Sequence, residues 1–188
     1  MNVSSIARLP FSAQAAWPEL EREDSKVARV FWFLVVPLSL LPPAMIFWAG
    51  GHHAEAFVGG FGGRPWDGLA ALSFFLCEIA SVTLMGWLIR RVAGAWQLQV
   101  SGRNAYVLAA VAAIPLWLSS LGLFVPSLAF NVALCVVALA VSFALLFQGV
   151  RSFGSDSDED LVRALDVSRL VFGGGLGAWG FLFLLLIV

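Results

Sequence analysis

The sequence predicts an all-α membrane protein: a polytopic bundle of five transmembrane helices with its N-terminus in the cytoplasm and its C-terminus outside. Of the 188 residues, 60% are hydrophobic and only 12% are charged, which leaves too little polar surface to cover a soluble globule. The apolar residues form five long runs. Continuous runs indicate helices, because the strands of a membrane barrel alternate apolar and polar residues.

The basic residues predict the orientation of these helices. Ten of the eleven Lys and Arg residues lie in alternate gaps between the runs, and only Arg64 lies on the other side. Because basic flanks resist translocation, the gaps that carry them are expected to be cytoplasmic. These residues are Arg8, Arg22, Lys26 and Arg29 before the first run, Arg90, Arg91 and Arg103 in the second gap, and Arg151, Arg163 and Arg169 in the fourth.

Residues 1–27 are predicted to be a cytoplasmic leader, and residues 28–188 the membrane domain. The leader is rich in polar residues and lacks the short apolar core and cleavage site of a removable signal peptide. A short interfacial helix anchored by Trp17 is one interpretation of the leader, and a polar tail with a single anchoring Trp is the other. The residues expected to share the apolar face of that helix are Phe11, Ala15, Ala16, Trp17 and Leu20.

The five spans are placed by length. A helix needs about 20 residues to cross the ~30 Å hydrocarbon core. The runs that satisfy this requirement are 28–49, 68–89, 105–123, 127–150 and 170–188. An odd number of crossings from a cytoplasmic N-terminus puts the C-terminus outside, and a bacterial inner membrane is the expected location.

Prolines are expected to shape two of the spans. Pro37, Pro42 and Pro43 predict a kinked or broken first helix, because proline removes a backbone donor and collides with the carbonyl four residues earlier. Pro115 predicts a bend in the third span. Either these prolines only shape the helices so that they pack together, or they form a hinge for gating.

The fourth gap is predicted to contain a short helix capped by Ser155 or Ser157. Its first turn would hold Asp158, Glu159 and Asp160, where acidic side chains complement the helix dipole. The acidic residues do not match a calcium loop, which needs a turn glycine and a closing Glu.

No metal site and no cofactor are predicted. His52, His53 and Glu55 lie close together in the first gap, but three residues within four positions of a glycine-rich loop are weak evidence for zinc or copper. Cys77 and Cys135 lie within apolar runs and show no metal or disulfide spacing.

Glu78 is the one acidic residue well inside a span. It lies 11 residues after Asp67 and 12 before Arg90, which is close to the bilayer midplane. A carboxyl group there is costly unless it is protonated, paired or exposed to a wet cavity. It is either a structural group hydrogen-bonded between helices or part of a proton or cation pathway. Its expected polar partners are Asn131, Ser81, Thr83, Ser119, Ser120 and Ser142.

Small residues four apart predict close helix packing. Gly173 with Gly177 and Gly174 with Ala178 form such pairs in the fifth span, and Ser73, Cys77 and Ser81 repeat the spacing in the second. Small faces let helix backbones approach in lipid. Packing within the chain and formation of a homo-oligomer are the two uses of such a face.

Catalysis is not expected. An intramembrane serine protease needs a histidine base, yet both histidines lie in a loop, and an aspartyl protease needs two intramembrane acids where this chain has one. No glycine-rich loop ends in Lys-Ser/Thr as a phosphate-binding loop does.

Several motifs resemble bacterial members of the Yip (Ypt-interacting protein) domain family. Residues 11–25 read FSAQAAWPELEREDS and residues 36–43 read VPLSLLPP. Further along, AYVL at 105–108, IPLWLSS at 114–120, VPS at 125–127 and LFQGV at 146–150 resemble the later spans of the family. The order, the spacing and the five-span layout extend the resemblance over nearly the whole chain.

The resemblance implies an α-helical integral membrane domain with a cytoplasmic N-terminus. Eukaryotic relatives associate with small GTPases and with one another, but this chain lacks the Leu-Tyr-Gly-Pro type motif of their longer leaders, so GTPase binding is not expected. The expected role is a non-enzymatic scaffold or membrane organiser whose partners are lipids and other membrane proteins or itself, with no nucleic acid. The alternative is a small transporter or channel that uses Glu78.

Overall fold

The computed structural model describes residues 27–52, 68–98, 100–154 and 158–187. Every regular element within these ranges is helical, which confirms the all-α prediction for the described part of the chain. The elements are α1 (Val27–Val30), a π-helical turn (Phe31–Val35), α2 (Val36–Ser39), α3 (Leu41–His52), α4 (Gly68–Ala95), α5 (Gly102–Ser119), a 3-10 turn (Ser120–Phe124), α6 (Leu128–Arg151) and α7 (Asp158–Ile187). The predicted leader helix, His53, Glu55, Ser155 and Ser157 lie outside the described residues.

Four helical segments among the described residues are long and apolar enough to cross a membrane. They are Val27–His52, Leu72–Ala95, Gly102–Phe124 and Leu128–Arg151, and they contain most of the first four predicted spans. The fifth predicted span lies in the second half of α7. Its crossing of the membrane stays a prediction, as does the orientation of all the helices.

The first span, Val27–His52, is interrupted twice. The π-helical turn comes just before Pro37, and the amide of Val36 donates to the carbonyl of Phe31 five residues earlier. This wider turn changes the hydrogen-bond register where the proline supplies no donor. Leu40 then separates α2 from α3, so that Pro42 and Pro43 fall in the first turn of α3, where amides have no intrahelical partner.

Pro115 has a milder effect on the helix that carries it. The helical assignment of α5 continues through Pro115 to Ser119, and the chain then tightens into the 3-10 turn Ser120–Phe124. Among the described residues, the interruption that follows this proline is the change of helix type at Ser120, five residues later.

The acidic cluster of the fourth gap begins a long helix, which corrects the prediction of a short one. Asp158, Glu159 and Asp160 lie in the first turn of α7, which is 30 residues long. Neither Gly nor Pro occurs between residues 158 and 172, and Arg163 forms ion pairs with Glu159 at 3.3 Å and with Asp160 at 3.1 Å. Because no residue there breaks a helix, the polar start runs directly into the apolar half.

Four helices form a ring. α4 and α6 each pack against both α5 and α7, and the first span packs outside this ring against α4 and α5. α5 contributes most to the core, which is continuous through the ring. The buried hydrophobic residues of α5 are Ala105, Val107, Leu108, Ala109, Ala110, Val111, Ala112 and Trp117. The ring places residues from α4, α5 and α7 around a shared interior.

The end of α4 is closed by a Schellman motif. The amide of Leu98 donates to the carbonyl of Ala93 at 2.9 Å, and the amide of Gln97 donates to that of Gly94 at 3.2 Å, while the buried Leu98 and Ala93 belong to the same hydrophobic cluster. Gln97 occupies the left-handed position of the motif with φ 63°. A non-glycine side chain in this conformation is strained.

Gln97→Gly is therefore expected to stabilise the protein. Relief of the left-handed strain outweighs the extra entropy of an unfolded glycine, for a net gain of about 0.5 to 1 kcal/mol. Gln97→Val is expected to be destabilising, because a β-branched side chain tolerates positive φ least. Thermal unfolding of both variants in detergent micelles measures the difference. An equal effect of glycine and valine would contradict this account.

Candidate intramembrane site

Glu78 lies on the inward face of α4. It is 10 residues after Gly68, or about 15 Å along the helix axis, and its side chain is partly buried. Val82 and Ile89, which follow at helical spacing, are buried in the core. The carboxyl group therefore projects into the ring and not toward the lipid.

Two indole groups from other helices donate hydrogen bonds to this carboxyl group. Trp117 of α5 donates from Nε1 to Glu78 Oε2 at 2.5 Å, and the side chain of Trp179 of α7 forms a second hydrogen bond with Glu78. An indole N–H is a donor only, so the oxygens of Glu78 act as acceptors in both bonds. The carboxyl group thus joins α4, α5 and α7.

The two tryptophans reach the carboxyl group because they lie at its level. Trp117 is near the end of α5, three residues before the 3-10 turn begins at Ser120, and it is only 1% exposed. Trp179 lies eight residues before Ile187, about 12 Å from the end of α7. Phe74, one turn before Glu78, packs edge to face against Trp179 with ring centroids 6.1 Å apart. This contact holds the indole beside α4.

The prediction of the hydrogen-bond partners was wrong for several hydroxyl groups. Ser119, Ser120 and Thr83 each donate to a carbonyl of their own helix at 2.7, 2.6 and 3.1 Å, as hydroxyl groups in spans commonly do. The buried hydroxyl groups of Ser81 and Ser142 form no hydrogen bond in the structure. Sequence reasoning missed Trp117 and Trp179, whose only signal was an N–H group on an otherwise apolar side chain.

Asn131 does not share the site with Glu78, which corrects their grouping as one ionisable site. Its Nδ2 donates to the carbonyls of Val125 at 3.0 Å and Ser127 at 2.8 Å. These bonds fasten the connection between α5 and α6. Gly122 packs so closely here that a Cβ atom on it would lie 2.9 Å from Asn131 Oδ1. The role of Asn131 in the structure is to hold a loop.

Small residues do allow α7 to approach α4, at Gly174 of the second predicted pair and at its neighbour Gly175. A Cβ atom built on Gly173 or Gly177 meets nothing within 4 Å. The glycines of α7 that touch α4 are Gly174, whose Cβ would lie 2.9 Å from Leu88, and Gly175, whose Cβ would lie 2.8 Å from Met85. Gly173 and Gly177 thus have no close neighbour among the described residues, and their role in helix packing stays a prediction.

The predicted small residues of α4 are placed on its partly covered side. Ser73, Cys77 and Ser81 are each intermediate in burial. A close backbone approach of α4 is made instead by Gly86, where a Cβ atom would lie 3.1 Å from the Cα of Tyr106. This contact lies on the α5 side of α4.

Within the described ranges, no group of three or more His, Cys, Asp or Glu residues is placed to hold a metal ion. His52 is engaged with its own helix, since its Nδ1 lies 2.8 Å from the carbonyl of Trp48 and its ring stacks on that indole at 4.7 Å. Glu78, in contrast, forms hydrogen bonds that link α4 to α5 and α7.

Comparison with known families agrees with this architecture. The family model of the Yip1 domain matches residues 8–188. Comparisons with curated proteins and with solved structures gave no match. The family match covers nearly the whole chain, including all four apolar helices that qualify as membrane spans. The chain therefore belongs to the Yip1 domain family of membrane proteins, as its proline and aromatic motifs had indicated.

Proposed function

We propose that this Yip1-family protein is a non-enzymatic, multi-pass protein of the bacterial inner membrane that acts through contacts with other membrane proteins or with further copies of itself. The observation that supports this proposal most directly is the pair of indole hydrogen bonds to Glu78. They make the one acid of the predicted spans a structural element of the bundle. The groups that remain for recognition lie at the ends of the helices.

The start of α7 is the surface best suited to a protein partner. Its first turn contains three acidic residues. Asp160 is 14% exposed and paired with Arg163, whereas the side chain of Glu159 is 83% exposed. Ala164 and Val167, one and two turns further on, are buried. Their packing in the core fixes the position of the acidic turn. A preformed charged surface loses little conformational entropy when a complementary basic segment binds.

The transport alternative requires Glu78 to break its hydrogen bonds, and the contacts around it do not favour this. To carry a proton or a cation, the carboxyl group would have to release Trp117 and Trp179 in each cycle. We also see no internal sequence repeat of the kind that builds alternating-access transporters. A structural role for Glu78 needs neither feature.

Site-specific photo-crosslinking in intact membranes tests the proposal. A photoreactive amino acid at Glu159 is expected to give discrete protein adducts, whereas the same group at Val136, an exposed residue within α6, serves as the matched lipid-facing position. Absence of a reproducible protein adduct from both positions would contradict the proposal. Proton or sodium flux in liposomes that Glu78→Gln abolishes would contradict it in favour of transport.

A further inference from the structure

One end of the bundle carries three arginines that have no acidic partner within the described residues. Arg29 begins the first span, and Arg90 and Arg91 lie near the end of α4. All three are exposed. In contrast, Arg163 pairs with Glu159 and Asp160, and Arg169 pairs with Asp166. The described structure leaves the positive charge of the first three uncompensated.

These arginines lie at the same end of neighbouring helices. The first span starts where α4 is ending, and its helical segments pack against α4 and α5. Arg90 also lies beside the first residue of α5, since its Nη1 would be 3.3 Å from a Cβ atom on Gly102. Arg29 and the pair Arg90 and Arg91 therefore lie at one end of two neighbouring elements, and all three side chains are exposed.

An exposed tryptophan lies on the membrane side of each arginine group. Trp32 comes three residues after Arg29 and is 65% exposed, and Trp87 comes three residues before Arg90 and is 59% exposed. Residues three or four apart share a helix face, and the spacing puts each indole about 4.5 to 6 Å deeper than its arginine. Because the two helices run in opposite directions, both indoles lie toward the membrane interior.

This order of side chains matches the layers of a lipid headgroup region. Indoles favour the boundary between headgroups and acyl chains, which sets the neighbouring guanidinium groups at the level of the phosphates. Arginine binds phosphate with two parallel N–H donors. Phe33, 79% exposed beside Trp32, extends the apolar part of the same surface toward the acyl chains.

We infer that Arg29, Arg90 and Arg91, with Trp32 and Trp87, form a binding surface for the headgroup phosphate of an anionic phospholipid. A lipid is a better occupant than a soluble anion, because the tryptophans form a deeper apolar layer that a soluble anion would not use. The surface lies at the edge of the predicted spans and is separate from Glu78 and from the acidic start of α7. It goes beyond the proposed function, since a lipid bound here would anchor the first span against α4.

Lipid titration monitored by native mass spectrometry tests this inference on the full chain. The protein is released from micelles in the presence of phosphatidylglycerol or phosphatidylcholine, and bound lipids are counted. The wild type is expected to retain phosphatidylglycerol preferentially. Arg90→Gln combined with Arg91→Gln is expected to weaken that retention by about fivefold per arginine, or roughly 25-fold for the pair.

Arg163→Gln combined with Arg169→Gln is the matched control, since it removes the same charge from acid-paired arginines. This control is expected to change retention less than twofold. Equal loss in both double variants, no loss in the first, or equal retention of phosphatidylcholine by the wild type would overturn the inference. So would displacement of the bound lipid by inorganic phosphate at equal concentration.

A second variant keeps the inference testable if the double substitution prevents folding. Trp87→Leu leaves every charge in place and removes only the indole. It is expected to reduce phosphatidylglycerol retention several-fold while the helical circular dichroism and the unfolding temperature remain those of the wild type. Unchanged retention in a folded Trp87→Leu protein would overturn the role assigned to this face.

Discussion

Trp117→Ala is expected to lower the free energy of unfolding by about 3 to 5 kcal/mol, the usual cost of removing a large buried aromatic side chain. Trp117 is 1% exposed, so its loss opens a cavity in the ring between α4 and α5. The substitution also removes a donor from Glu78, leaving a carboxyl oxygen in the interior without this partner. Denaturant titration in detergent micelles, followed by circular dichroism, measures the change.

Trp87→Ala is the control for this prediction, because it removes the same side chain from an exposed position on α4. In detergent micelles without added phospholipid, its cost is expected to be under about 1 kcal/mol, since removal of an exposed side chain opens no cavity. A similar loss of stability in both variants would mean that Trp117 does not lie in a packed interior.

A double-mutant cycle separates the hydrogen bond from the packing of Trp117. Trp117→Phe keeps most of the ring volume and removes the N–H, and Glu78→Leu removes both acceptor oxygens. The coupling energy between the two changes is expected to be about 0.6 to 1.7 kcal/mol, the range found for side-chain hydrogen bonds inside membranes. A coupling energy of zero would contradict the bond between Glu78 and Trp117.

The helices were predictable because the solvent constrains the backbone so strongly. Polar backbone groups must be paired inside a membrane, and the long apolar runs therefore indicated helices without any knowledge of contacts. Helix ends were less predictable. α4 extends to Ala95 and α7 starts at Asp158, since a helix continues into the headgroup region wherever no residue breaks it, whereas apolarity marks only the hydrocarbon part.

Of the residues in the candidate site, only Glu78 was predicted from the sequence. Glu78 was recognisable because an acid in an apolar run is rare. Trp117 and Trp179 are 39 and 101 residues away in sequence, and no periodic pattern reports which helices become neighbours. The same limit explains the glycines: spacing identified a small-residue helix, but the face turned toward α4, that of Gly174 and Gly175, depends on how α7 is rotated in the ring.

Gly86→Leu tests the close backbone approach of α4 and α5 at Tyr106. A Cβ atom at Gly86 would lie 3.1 Å from the Cα of Tyr106 and 3.5 Å from its backbone nitrogen. These are backbone atoms, which do not rotate away as the end of a side chain does. A leucine must therefore push α4 and α5 apart, and a loss of about 1 to 3 kcal/mol in the free energy of unfolding is expected from such overpacking.

Gly94→Leu provides a control on the same helix. A Cβ atom at Gly94 meets nothing within 4 Å, so a leucine there creates no clash and removes the helix penalty of glycine, for an expected gain of up to about 1 kcal/mol. Gly86→Ala is expected to fall between the two, because a smaller clash is partly offset by the same gain. Denaturant titration should thus rank the variants Gly94→Leu, Gly86→Ala and Gly86→Leu in order of decreasing stability. Equal stability of the two leucine variants would contradict the backbone contact between α4 and α5 at Gly86.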